Sequence, residues 1–167
     1  MLANTVLSPE FHEDFDLYDK DMLAGANIMP RTGFATDYLN VFNEATMLFG
    51  LLGDMPEMIE ELEIWQPLTY EEHFLRSNFH DKELAIAVFK SIPDERRLPF
   101  VDTAHLLGEM IVDGIKDAKA KIAAGEDIAD FASETSFALQ SVIMMLDGMM
   151  HGHEADNSQD DVDALFD

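Results

Sequence analysis

Asp102-Thr-Ala-His-Leu-Leu-Gly-Glu-Met-Ile-Val-Asp-Gly-Ile-Lys-Asp-Ala-Lys-Ala-Lys-Ile-Ala-Ala-Gly125 is the run that decides the fold. Leu106, Leu107, Met110, Ile111, Ile115, Ala118 and Ile122 recur every three or four residues, the spacing of one face of an α-helix. Lys116, Lys119 and Lys121 lie toward its C-terminus, where cations offset the negative end of the helix dipole. Gly125 supplies the stop, because glycine enters the left-handed conformation that closes a helix without penalty. A long helix is therefore predicted from near Pro99 or Asp102 to Ala124, after a turn of Asp94, Glu95, Arg96 and Arg97 bracketed by Pro93 and Pro99.

Downstream, Asp127 is placed to cap a second long helix with the stripe Ile128, Phe131, Ala138, Val142, Met145, Leu146 and Met149, ended by His151-Gly-His153. Upstream, Thr36 and Asp37 open a third, with Tyr38, Val41, Phe42, Ala45, Leu48, Phe49 and Leu52 on its apolar face. Shorter helices follow from Pro56 to Trp65, from the capping box Thr69-Tyr-Glu-Glu72, and after Asp81. No period-two run lies between hairpin turns, and no repeat of fixed period is present. The pattern is all-α: a compact helical bundle of three long and two or three short helices over residues 36–150. An acidic N-terminal arm precedes it over residues 1–35, with Phe11, Phe15, Leu17 and Tyr18 suited to lie across the body. A flexible acidic tail follows over residues 151–167.

The apolar content of 47% in 167 residues is enough for one packed domain, and the formal net charge of −24 is its unusual property. That charge opposes nucleic acid and anionic membranes and favours basic partners or divalent cations. No cysteine is present, which removes disulfides, thiolate metal sites and cysteine nucleophiles. The first residues carry no basic segment ahead of an apolar core, and the apolar stretch around Ala45 to Gly53 is far short of a membrane span. A soluble, cytoplasmic protein is expected.

The tail holds the one pattern that suggests a task rather than a core. Ser158 and Asp161 have capping-box spacing, and Val162, Leu165 and Phe166 fall on one side of the following turn, with Asp160, Asp161 and Asp163 off it. A segment this short does not hold a helix alone, so it is expected to become helical when its apolar stripe meets a groove. Ser158-Gln-Asp-Asp-Val-Asp-Ala-Leu-Phe166 resembles the N-terminal peptide of flagellar motor switch proteins. In that family the peptide binds the phosphorylated chemotaxis response regulator CheY. The resemblance implies that Gln159, Asp160, Asp161, Val162, Asp163, Leu165 and Phe166 bind a receiver domain, or another protein with a basic-rimmed apolar groove. A helical bundle, an acidic linker and a C-terminal peptide are together similar to the plan of the chemotaxis phosphatase CheZ.

Catalytic motifs are each short of a member. The CheZ family works with a Gln and an acid four residues before it, but position 136, ahead of Gln140, is Ser. Ala104-His105-Leu106-Leu107-Gly108 is similar to the motif of histidine phosphotransfer bundles, without the lysine that stabilises the phosphoryl charge. His105 and Glu109 have a chelating i, i+4 spacing, and His73, Glu72 and Glu44 lie on neighbouring helices, but neither histidine has a Glu three residues before it as a di-iron bundle needs. No catalytic residue, metal or cofactor is assigned. A small-molecule site, if there is one, is expected around the corner Trp65-Gln-Pro-Leu-Thr-Tyr70, with His73, Arg76 and His105. Met144, Met145, Met149 and Met150 read as core filler, with a homodimer face on this helix as the alternative. The balance favours a non-enzymatic signalling adaptor, with a phosphatase or phosphotransfer bundle as the other reading.

Overall fold

The computed structural model describes residues 18–152. They form an all-α bundle of seven helices, and among them there is no strand, only an isolated antiparallel bridge between Ile28 and Ala35. The helices are α1 (Lys20–Gly25), α2 (Asn40–Leu51), α3 (Ile59–Ile64), α4 (Tyr70–Arg76), α5 (Lys82–Ser91), α6 (Asp94–Ala123) and α7 (Ala129–His151). Helices α2, α6 and α7 are the long ones and pack on one another; α3 lies on α6, and α4 pairs with α5. No helix among the described residues is long and apolar enough to cross a membrane.

Local chemistry accounts for several helix ends. At α4 the Thr69 side chain accepts from the Glu72 backbone N–H while the Glu72 carboxylate accepts from the Thr69 N–H, so both ends of the capping box are closed. After α6, Gly125 has φ +72°, its N–H donates to the Ile122 carbonyl, and the Glu126 N–H donates to that of Lys121. That pair of bonds satisfies carbonyls the helix leaves open. Before α7, the Asp127 carboxylate accepts from the Ala129 N–H.

Three parts of the pattern fold differently from the sequence expectation. The supposed turn between Pro93 and Pro99 is helical from Asp94, with Pro93 at the N-cap and Pro99 inside α6. Proline at the entrance loses nothing because the first N–H groups of a helix have no partner; Pro99, one turn further on, leaves the Glu95 carbonyl without its helical donor. The described part of the N-terminal arm belongs to the core. The Asp19 side chain caps α1, Leu23 is buried, and the turn closed by the Ile28–Ala35 bridge sets the buried Phe34 ring 4.3 Å from that of Phe100. Thr32, also buried, donates its hydroxyl to the Met150 carbonyl and ties this segment to the end of α7. Finally, the inward face of α7 is Ala132, Ser136, Leu139, Ile143, Leu146 and Met150, one residue round from the expected stripe, so Ala138 and Met145 face outward. The reason is Ser136: a polar residue that breaks the stripe by eye sits inside by donating its hydroxyl to the Thr46 carbonyl at 3.3 Å.

Candidate functional site

The aromatic side chains of five elements meet at one place. Tyr38 comes from the 3₁₀ turn Thr36–Leu39, Phe42 from α2, Tyr70 and Phe74 from α4, Phe89 from α5 and Phe100 from α6. The Tyr70 ring stacks on Phe89 at 4.1 Å and meets Tyr38 edge-on at 5.2 Å; Tyr38 in turn meets Phe42 at 5.2 Å. Each phenol makes one hydrogen bond to the backbone. The Tyr70 hydroxyl accepts from the Ala35 N–H at 2.7 Å, and the Tyr38 hydroxyl donates to the Leu68 carbonyl at 2.7 Å. Burial lifts both well above the ordinary tyrosine range; the Glu72 charge adds to this at Tyr38, and the Ala35 N–H partly offsets it at Tyr70.

All of this cluster except Phe74 lies at the floor of a half-open cleft of about 860 Å³ between the segment 67–72 and α6. The floor is Tyr38, Phe42, Tyr70, Phe89 and Phe100, and Pro67, Leu68, Val101, Ala104 and Gly108 form the walls. Gly108 stands at a close approach, since a Cβ there would lie 3.3 Å from the Pro67 Cβ. The rim is acidic: Glu71 and Glu72 on α4 face Glu109 and Asp113 on α6, with His105 beside them. Lys90 lies 3.7 Å from Glu71, and the exposed His105 lies 3.5 Å from Glu109.

A smaller cleft of about 490 Å³ lies on the other side of Leu68, which lines both. Of the five pocket residues named from sequence, Tyr70 and His105 line the larger cleft, while Trp65, His73 and Arg76 line the smaller one. The corner at Trp65–Thr69 is thus a partition with a site on each face. Trp65 donates its indole N–H to the Val41 carbonyl at 2.8 Å, and His73 Nε2 lies 2.8 Å from Asp37 Oδ2. His73 and His105 are not brought to a common site, and among the described residues no group of three His, Asp or Glu is placed to hold a metal ion. Gln140 donates to the Ser136 hydroxyl at 3.4 Å, at the edge of the α2–α7 contact. Of the four methionines at the end of α7, Met150 is buried and Met149 half-buried, but Met144 and Met145 are exposed, as is Phe137, so core filling explains only half of them.

Gln159, Asp160, Asp161, Val162, Asp163, Leu165 and Phe166 lie outside the described residues, as do residues 1–17. Sequence reasoning missed Tyr38, Phe42 and Phe100 as cleft floor, because a floor aromatic and a core aromatic obey the same spacing. Two signals pointed toward the cleft: Glu109 and Asp113 at i, i+4 on one helix side, and Gly108 inside a strong helical pattern, where glycine marks a close approach. Compared with family models, curated proteins and solved structures, the chain matches none.

Proposed function

We propose that this chain is a non-enzymatic adaptor of the cytoplasm that binds a response-regulator receiver domain through residues 159–166. The observation that carries the reading is the nine-residue sequence Ser158–Phe166, with an apolar stripe of Val162, Leu165 and Phe166 set among Asp160, Asp161 and Asp163. In this reading the three apolar side chains enter a groove of the partner, and the acids meet its basic rim. Burial of such a stripe yields several kcal/mol, and ordering the peptide takes back a sizeable share, which gives micromolar affinity.

Two features of the body support it. Helix α7 ends at Gly152 in a left-handed turn, and the Thr32–Met150 hydrogen bond fixes that end six residues before Ser158. Like charge sets the acidic tail against the acidic rim of its own cleft, so a partner outside this chain is favoured. Alanine at Val162, Leu165 and Phe166 together should abolish capture of a phosphorylated receiver domain by the immobilised protein. The lifetime of the receiver's phosphate should be the same with and without the protein. Capture by the triple variant at undiminished level would remove the proposal, and a shortened lifetime would turn it into a phosphatase.

A further inference from the structure

The geometry points to the larger cleft as a binding site for a lipophilic organic cation: a small molecule with an apolar aromatic or aliphatic body and one ammonium end. Volume selects a small ligand, because about 860 Å³ lies in the range of roughly 300–1,000 Å³ that takes drug-sized molecules. Position agrees with it. The lining comes from α4, α5 and α6 together with Tyr38 and Phe42, so an occupant would sit in the angle between these elements, above the buried Phe89 and Phe100.

Polarity then divides the ligand into two parts. The Tyr38 hydroxyl hydrogen goes to the Leu68 carbonyl and the buried Tyr70 oxygen takes the Ala35 N–H, so the floor is chiefly carbon and a polar group carried down to it would trade its water for few partners. The buried part must therefore be apolar. At the mouth, four carboxylates (Glu71, Glu72, Glu109 and Asp113) stand against Lys90 near Glu71 and the exposed His105. Glu72 is held by the capping box, Glu71 lies beside the Lys90 ammonium and Glu109 only beside the His105 imidazole, so the α6 pair Glu109 and Asp113 carries the charge least offset by a full cation. A cation is stabilised at this rim and an anion is repelled. Along α6 the lining runs from Phe100 to Asp113, about 20 Å at 1.5 Å per residue, so the ligand has room to be elongated.

Calorimetric titration of the full chain at low ionic strength, with probes below their micelle concentrations, tests this. Decylammonium should bind saturably with one-to-one stoichiometry and at least tenfold more tightly than decanoate, which has the same body with the opposite charge. Methylammonium, which has the charge without the body, should show no saturable binding. Glu109→Gln with Asp113→Asn should weaken decylammonium about fivefold or more. Both residues are exposed, so the fold is unaffected. Glu57→Gln with Glu60→Gln removes the same charge away from the cleft and should leave the affinity unchanged. Gly108→Leu, which crowds the wall at Pro67, should block binding; where that chain fails to fold, the charge variants decide. Equal affinity for decanoate, absence of saturable decylammonium binding, or equal weakening by the two charge variants would overturn the assignment. None of these outcomes involves residues 159–166, so the adaptor reading stands or falls separately.

Discussion

The hydroxyl of Tyr70 lies 2.7 Å from the backbone nitrogen of Ala35 and accepts its hydrogen, joining the first residues of the bundle to the helix that walls the larger cleft. Both groups are buried, so the bond has no water to replace it. Tyr70→Phe keeps the stack on Phe89 and leaves the Ala35 N–H without a partner. The expected loss is about 1–3 kcal/mol in urea unfolding, the cost of a buried donor left unmade.

Alkaline pH should act on the same cluster. Tyr38 and Tyr70 have raised folded-state values, so the protonated phenols contribute stability that is fully present below the unfolded tyrosine value near 10 and is lost as pH rises above it. Each group steepens the decline by up to about 1.4 kcal/mol per pH unit in that window. Urea midpoints between pH 8 and pH 11 should fall above pH 10, and should fall less steeply in Tyr38→Phe with Tyr70→Phe.

If the segment from Tyr18 to Ala35 is core, its aromatic anchor must carry core energetics. Phe34 is fully buried against Phe100 and Phe89. Phe34→Ala should cost about 3–5 kcal/mol, as large-to-small changes do in a close-packed interior. A change below about 1 kcal/mol, as at an exposed site, would return this segment to the status of an arm.

Gly114 tests the packing of α6 on α2. A Cβ at this position would meet the Phe49 Cζ at 3.0 Å, in a contact where both residues are buried. Alanine is the better helix former by about 1 kcal/mol, so on an open helix face Gly114→Ala would stabilise. Here overpacking is expected to win, with a net loss of about 1–2 kcal/mol by thermal or urea unfolding.

The architecture was legible where a single local rule decides it. Thr69 with Glu72, Gly125 after α6 and the stripe of α2 follow from spacing and chain ends, and the backbone obeys them. It was illegible where long-range contacts decide. Phe34 looks like one aromatic in a glycine- and proline-marked stretch until Phe89 and Phe100 stand beside it. Ser136 reads as an interruption until the Thr46 carbonyl receives its hydroxyl. Pro99 reads as a boundary because the rule against proline in helices weighs one missing hydrogen bond and ignores the burial of Phe100 next to it. The cleft was partly legible for a similar reason. Tyr70 and His105 were picked for their chemistry, but Trp65, His73 and Arg76 face the other side of a partition at Leu68, and a linear sequence does not say which side of a wall a residue faces.

The central functional claim is that the carboxyl-terminal peptide carries the recognition of a partner. Titrating a phosphorylated receiver domain with the intact chain and with a chain truncated after Asn157 tests it most directly. The account predicts micromolar binding by the intact protein, weakened at least tenfold when the receiver is unphosphorylated and lost on truncation. Equal affinity of the intact and truncated chains for the phosphorylated receiver would contradict it.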